Sequence, residues 1–220
     1  MSEEIQDLTE VVAERFERLI AAAPDDEPAT TTKEPPPRNV ASITGIPARY
    51  REEWPRPIAI AWNATFGKIM AVIANGGTIA MIGPRGTGKT RFAAEAMRNV
   101  APREGIYATA MGVFIRIRET FQKNSKESES EIVRELSRCP LLILDEIQER
   151  GNSAWEDRLL THILDARYGN MLPTIIIANL TSEALAVQLG DSIVSRLHET
   201  GGVLEINGPS HRIKQPTLGI

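Results

Sequence analysis

Gly83, Gly88, Lys89 and Thr90 occupy every fixed position of the pattern G-x-x-x-x-G-K-[ST], with Pro84, Arg85, Gly86 and Thr87 between them. The chemistry of that spacing is phosphate binding. Its glycines let backbone N–H groups curl around a phosphate, and a helix starting there adds partial positive charge. Lys89 is expected at the β- and γ-phosphates, and the Thr90 hydroxyl on Mg²⁺. Two carboxylates, Asp145 and Glu146, close the apolar run Leu141-Leu142-Ile143-Leu144. Ionised acids at the exit of a buried strand need a reason. Here the reason is metal and water chemistry, with Asp145 in the Mg²⁺ shell and Glu146 the general base that polarises a water. Asn179, after Pro173 to Ala178, is expected to position that water or sense the γ-phosphate. The ligands this set predicts are ATP and Mg²⁺.

Strands and helices must bring these residues together. Thr78–Ile82 reads as the strand before the glycine loop, and Arg91–Met97 as the helix after it. Further strands are expected at Gly105–Ala110, Leu141–Glu146, Pro173–Asn179 and Val203–Ile206. Ser128 with Glu131 and Ser153 with Glu156 form capping boxes that open two helices. A helix over Ile58–Ala74 has Ile60, Ala64, Ile69 and Ile73 as inward positions and ends at Asn75-Gly76-Gly77. Strands alternating with helices predict an α/β fold, a five-stranded, mostly parallel sheet between helices, with ligands at the carboxyl ends of the strands. Fourteen residues follow Ile206, too few for a C-terminal helical lid.

The 220 residues, 42% apolar and 25% charged, suit one such domain with an appendage. Ile5, Leu8, Val12, Phe16 and Leu19 recur at helical spacing, so residues 1–23 read as an N-terminal amphipathic helix. Its stripe fits docking on its own domain, self-association or a groove on a partner. Residues 24–40 read as a Pro-rich linker and 41–220 as the catalytic domain. The acidic N-terminus carries no secretory signature and no apolar run reaches membrane-spanning length. The expectation is a cytoplasmic protein without membrane contact. One cysteine, Cys139, makes neither an internal disulfide nor a Cys-based zinc site.

A net charge of −4 argues against a generally basic nucleic-acid binder, yet residues 85–138 carry eleven bases and seven acids. Within a helix expected over Val113–Lys123, Phe114, Arg116, Arg118, Phe121 and Lys123 interleave bases with aromatics. That pattern suits a surface that tracks a nucleic-acid backbone and stacks bases. It fits equally a solvated helix face with its phenylalanines turned into the core.

Taken in order, these segments resemble the DnaC/IstB group of AAA+ helicase-loader ATPases. The resemblance rests on Gly45-Ile46-Pro47-Ala48-Arg49-Tyr50, the glycine loop, Leu144-Asp145-Glu146-Ile147, Asn179, Ser195-Arg196-Leu197 and Ser210-His211-Arg212. It implies an ATPase that delivers a replicative hexameric DNA helicase onto single-stranded DNA and forms a homo-oligomer with ATP. It also implies that Asn179 is the sensor and Arg196 a finger reaching the neighbouring subunit's nucleotide. The helices between Val113 and Arg138 become the initiator-type insertion along which single-stranded DNA runs. Arg212 resembles the family's late arginine. The same fold implies two alternatives, a transposition helper assembling on duplex DNA and a nucleotide-gated protein adaptor. The chain departs from loaders at its N-terminus, where one helix and a linker stand in place of a larger helicase-binding domain.

Overall fold

The computed structural model describes residues 45–51, 56–101 and 104–211, with side chains of the first helix described from residue 63. The expected N-terminal helix and linker, the inward side chain of Ile60, and Arg212 lie outside the described residues.

Five strands form one sheet: β1 (Thr78–Ile82), β2 (Ile106–Thr109), β3 (Leu142–Asp145), β4 (Thr174–Ile177) and β5 (Val203–Glu205). Their order is β2-β3-β4-β1-β5 and every pairing is parallel. The helices are α1 (Arg56–Ala74), α2 (Lys89–Val100), α3 (Ala110–Glu119), α4 (Glu129–Arg138), α5 (Ala154–Gly169), α6 (Ser182–Leu189) and α7 (Asp191–Thr200). Helices cover both faces, so β1, β3 and β4 are buried at every residue and read as unbroken apolar runs. Alternation along each strand divides the core. Ile79, Met81, Ile143, Ile175 and Ile177 face α1 and α2 with Phe66, Ile69, Met70 and Phe92. Ala80, Ile82, Leu142, Leu144 and Ile176 face the other layer with Phe114, Ile117, Leu160 and Ile163.

Local chemistry sets the helix starts. Ser128 accepts from Glu131 N–H and Ser153 from Glu156 N–H, each in a reciprocal capping box, which satisfies otherwise orphaned donors. The Thr109 and Thr181 side chains cap α3 and α6. Two expectations need correction. Ile69 and Ile73 are buried as expected, joined by Phe66 and Met70, but Ala64 is exposed. Helix α3 ends at Glu119 rather than Lys123.

At the end of the sheet where strands begin, the fully buried Arg167 holds three segments together. It donates to Leu136 O and Cys139 O at 2.8 Å, to Pro173 O at 2.7 Å and to Thr174 Oγ1 at 2.9 Å. Burial lowers its pKa, because a charge in a low-dielectric interior is disfavoured. Burial likewise pushes the neighbouring Cys139 thiol up, leaving that cysteine inert.

Candidate nucleotide-binding site

The glycine loop joins β1 to α2. Gly83, Gly86 and Gly88 have φ of 125°, 88° and 99°, a region that disfavours a Cβ. Position 86 is restricted twice, since a Cβ there would also overlap the Ser210 side chain. The chain beyond β5 runs along the loop, with Ile206 N–H on Ile82 O and His211 N–H on Gly86 O, both at 2.9 Å. Thr87 donates to Pro84 O at 3.0 Å. Lys89 is only 4% exposed, and its ammonium donates to Gly83 O at 2.8 Å and Pro84 O at 2.7 Å. Arg85 points outward to Glu149, 3.1 Å away.

Strands β3, β4 and β1 are neighbours, so their carboxyl ends lie side by side. The Thr90 hydroxyl donates to Asp145 Oδ2 at 2.9 Å, and the Glu146 N–H closes on Asp145 Oδ1 at 2.7 Å. A hydroxyl and a carboxylate at this spacing form a hard oxygen donor set that fits Mg²⁺, a cation that keeps several of its waters. Glu146 is exposed and left-handed, φ 54°, a conformation that costs a non-glycine residue about 1–3 kcal/mol and clusters at functional sites. Asn179, just past β4, is half-buried, and its N–H donates to Gln148 Oε1 at 3.1 Å. Gln148 thereby ties the exits of β3 and β4 together.

One residue absent from the sequence reading enters here. Tyr107 on β2 donates its hydroxyl to Asp145 Oδ2 at 2.6 Å. Burial, followed by the charge and hydrogen bond of Asp145, raises the phenol's pKa, so it remains a donor. Register explains the contact. Tyr107 pairs with Ile143, which puts Asp145 two residues along on the same face, within reach of a long aromatic side chain. Arg150, also unanticipated, is buried and bonds Asp157 at 2.5 Å and Gln188 O.

Arg196 stands apart from this group. Its guanidinium lies 2.7 Å from Asp165 and 5.5 Å over the Tyr168 ring. One turn later Thr200 Oγ1 accepts from the N–H of Thr78, the first residue of β1. Arg196 therefore sits toward the start of β1 and the glycine loop at its end, a strand length of about 17 Å apart.

Of the five residues expected on a stacking surface, Phe114, Arg118 and Phe121 gather around Trp155, with the Phe121 ring 6.1 Å from it, while Arg116 and Lys123 stand apart from that cluster. Phe114 is 2% exposed, packed edge-on against Trp155, so its ring is core. Arg116 is held by Glu127 at 2.5 Å and Glu135 at 2.8 Å. Arg118 bonds the fully buried Glu156 at 2.6 Å and lies over Trp155. Phe121, 65% exposed, and Lys123 lie beyond the end of α3. Arg116 and Arg118 are thus engaged in internal pairs, which the sequence pattern does not reveal.

The chain is 29% identical over 117 residues to the replicative helicase loader DnaC of Escherichia coli (strain K12), covering 52% of this chain and 47% of that protein. It is 32% identical over 126 residues to the uncharacterized protein YdaV of the same strain, covering 56% and 50%. It thus spans about half the length of the curated relatives it matches. Among solved structures, the DnaC helicase loader superposes with a TM-score of 0.57 at 22% identity, over 67% of this chain and 91% of that one. The replication initiator DnaA bound to AMPPCP and single-stranded DNA superposes at 0.59 and 21%, over 74% and 51%. These likenesses establish the P-loop AAA+ fold. The family model for the IstB-like ATP binding protein matches residues 68–218, more than half of the chain, and the protein belongs to that family.

Proposed function

We propose that this protein hydrolyses ATP in order to bind a replicative hexameric DNA helicase and place it on single-stranded DNA. The observation that carries the reading is the meeting of the glycine loop, the Thr90–Asp145 pair, Glu146 and Asn179 at three adjacent strand ends. The loop N–H groups and Lys89 bind the triphosphate, and Thr90 and Asp145 would hold Mg²⁺, which when bound would neutralise charge on the phosphates. Glu146 takes a proton from the water as the water oxygen bonds to the γ-phosphorus; the bond from that phosphorus to the β,γ-bridging oxygen breaks, leaving ADP and phosphate. Asn179 orients the water. Arg196 serves the nucleotide of a neighbouring subunit in an ATP-dependent homo-oligomer, stabilising charge on the transferred group.

Residues 1–23 supply the helicase-binding helix on the 24–40 linker, and residues 41–220 the ATPase domain. Phe121 and Lys123 remain available to DNA from the α3 region. Among the described residues no helix is long and apolar enough to cross a membrane.

Native mass spectrometry of the full chain with the host's hexameric helicase, with and without ATP, tests the reading. A complex that is lost when residues 1–34 are removed supports it. No complex, with ATP-dependent multimers on duplex DNA instead, transfers the assignment to a transposition helper. Partner binding and release unaffected by Glu146→Gln would mark a nucleotide-gated adaptor.

A further inference from the structure

Asp145 is 4% exposed and receives three donors of the protein itself. Thr90 and Tyr107 hydroxyls both donate to Oδ2, at 2.9 and 2.6 Å, and the Glu146 N–H donates to Oδ1 at 2.7 Å. A carboxylate offers about four acceptor positions. Both positions on Oδ2 are therefore filled, and one on Oδ1 stays open. Thr90 donating its proton to Asp145 keeps its oxygen lone pairs for a cation. Without the Tyr107 hydroxyl, Oδ2 would have a vacant position, and the carboxylate would be free to turn about its broad terminal torsion. Two of the three restraints on its plane would remain.

Tyr107 is itself firmly seated. Its ring belongs to the core layer beneath α1 and α2. Its carbonyl lies against Gly45, where a Cβ would overlap it. Gly45 opens the segment fixed to α2 by Arg98 on Tyr50 O at 2.9 Å and Arg91 on Arg49 O at 3.3 Å. The phenol thus reaches Asp145 from a rigid platform, which is what a positioning group requires.

We propose that Tyr107 is a positioning residue for the divalent-cation arm of the site, holding Asp145 so that Oδ2 serves Thr90 and a single acceptor on Oδ1 faces the hydrated cation. The inference rests on the nucleotide-site reading above. It gives Tyr107 no part in holding the triphosphate, so its contribution belongs to the Mg²⁺-dependent increment of affinity alone.

The test is equilibrium binding of a fluorescent, non-hydrolysable ATP analogue to the full chain, wild type and Tyr107→Phe, in Mg²⁺ and in EDTA. Phenylalanine preserves the ring and removes only the hydroxyl; thermal melting of both proteins checks the fold. The expected result is a Mg²⁺-dependent gain in affinity reduced about tenfold in the variant, the order of one hydrogen bond to a charged group. Affinity in EDTA should stay within about twofold on the same scale. Electron paramagnetic resonance of Mn²⁺ titrated into the nucleotide complex should show the same loss of metal retention. An unchanged or larger Mg²⁺-dependent gain overturns the proposal. So does an equal loss in Mg²⁺ and EDTA with a lowered melting temperature, which assigns Tyr107 to packing. Wild type silent in both conditions overturns the nucleotide-site reading and this inference with it, and is recognised because the unsubstituted protein fails.

Discussion

Arg196 on α7 and Asp165 on α5 form an ion pair of 2.7 Å, over the ring of Tyr168, at the opposite end of β1 from the glycine loop. No arginine so placed serves the nucleotide of its own subunit. If it serves a neighbour's, Arg196→Ala should lose stimulated hydrolysis yet bind nucleotide nearly as well as wild type. Lys89→Ala should fail for the opposite reason. Mixing the two inactive proteins should restore part of the activity, because some interfaces then join an intact loop to an intact arginine. Steady-state ATPase assays across mixing ratios read this directly, and a flat, inactive profile refutes the finger assignment.

Glu146 combines an exposed carboxylate with a strained backbone. Replacing it with glutamine removes the proposed general base while keeping size and hydrogen-bonding capacity. The expected effect is a fall in kcat of about 100-fold or more, with nucleotide affinity largely retained. Single-turnover kinetics separates the two quantities.

The clamp of Arg116 on Glu127 and Glu135 links α3, the following loop and α4. Its hydrogen bond with Arg116 is the main cause holding the Glu127 carboxyl below the ordinary value of 4.5. A depressed carboxyl pKa stabilises the fold above the unfolded value and loses that stabilisation as pH falls through the folded one. Thermal melting of wild type should therefore show a component that declines as pH drops below about 4.5. In Arg116→Ala that part of the slope should flatten. The effect should be small, since the pair is half exposed and solvent screens it.

Arg167 makes the opposite case. Its buried guanidinium donates to three carbonyls and a hydroxyl, and Arg167→Met would remove those donors, with Pro173 O keeping the Leu142 N–H at 3.3 Å and Leu136 O the Cys139 thiol at 3.5 Å. Each orphaned acceptor costs about 1–3 kcal/mol, so a loss of roughly 3 kcal/mol or more is expected by urea denaturation. Arg167→Lys should recover little, because an ammonium cannot reproduce the planar fork.

Much of this architecture was legible before any coordinates. Unbroken apolar runs identified β1, β3 and β4 to within a residue or two, and Ser128 and Ser153 announced their helices through their capping partners. The glycine loop, Asp145, Glu146 and Asn179 were ordered along the chain as a parallel sheet needs them. What stayed hidden depends on register and pairing. Tyr107 meets Asp145 only because β2 and β3 align as they do, which neither strand encodes alone. The basic residues of α3 looked available until Glu127, Glu135 and Glu156 were found beside them. Phe114 followed the apolar face of its helix into the core, and aromatic spacing alone does not distinguish that from a stacking platform.

The strand that delivers the glycine loop has both neighbours far along the chain: Thr78 pairs with Thr174, and Ala80 with Val203. During synthesis β1 therefore emerges without a partner and waits until most of the domain has left the ribosome, at about 5–20 residues per second. Such non-local pairing slows folding because loop closure must precede any reward from contact. A truncated chain ending after α4 keeps the whole glycine loop yet lacks both strands that hold it in register. Nucleotide can thus act as a folding ligand only at the last stage, when the sheet closes around β1.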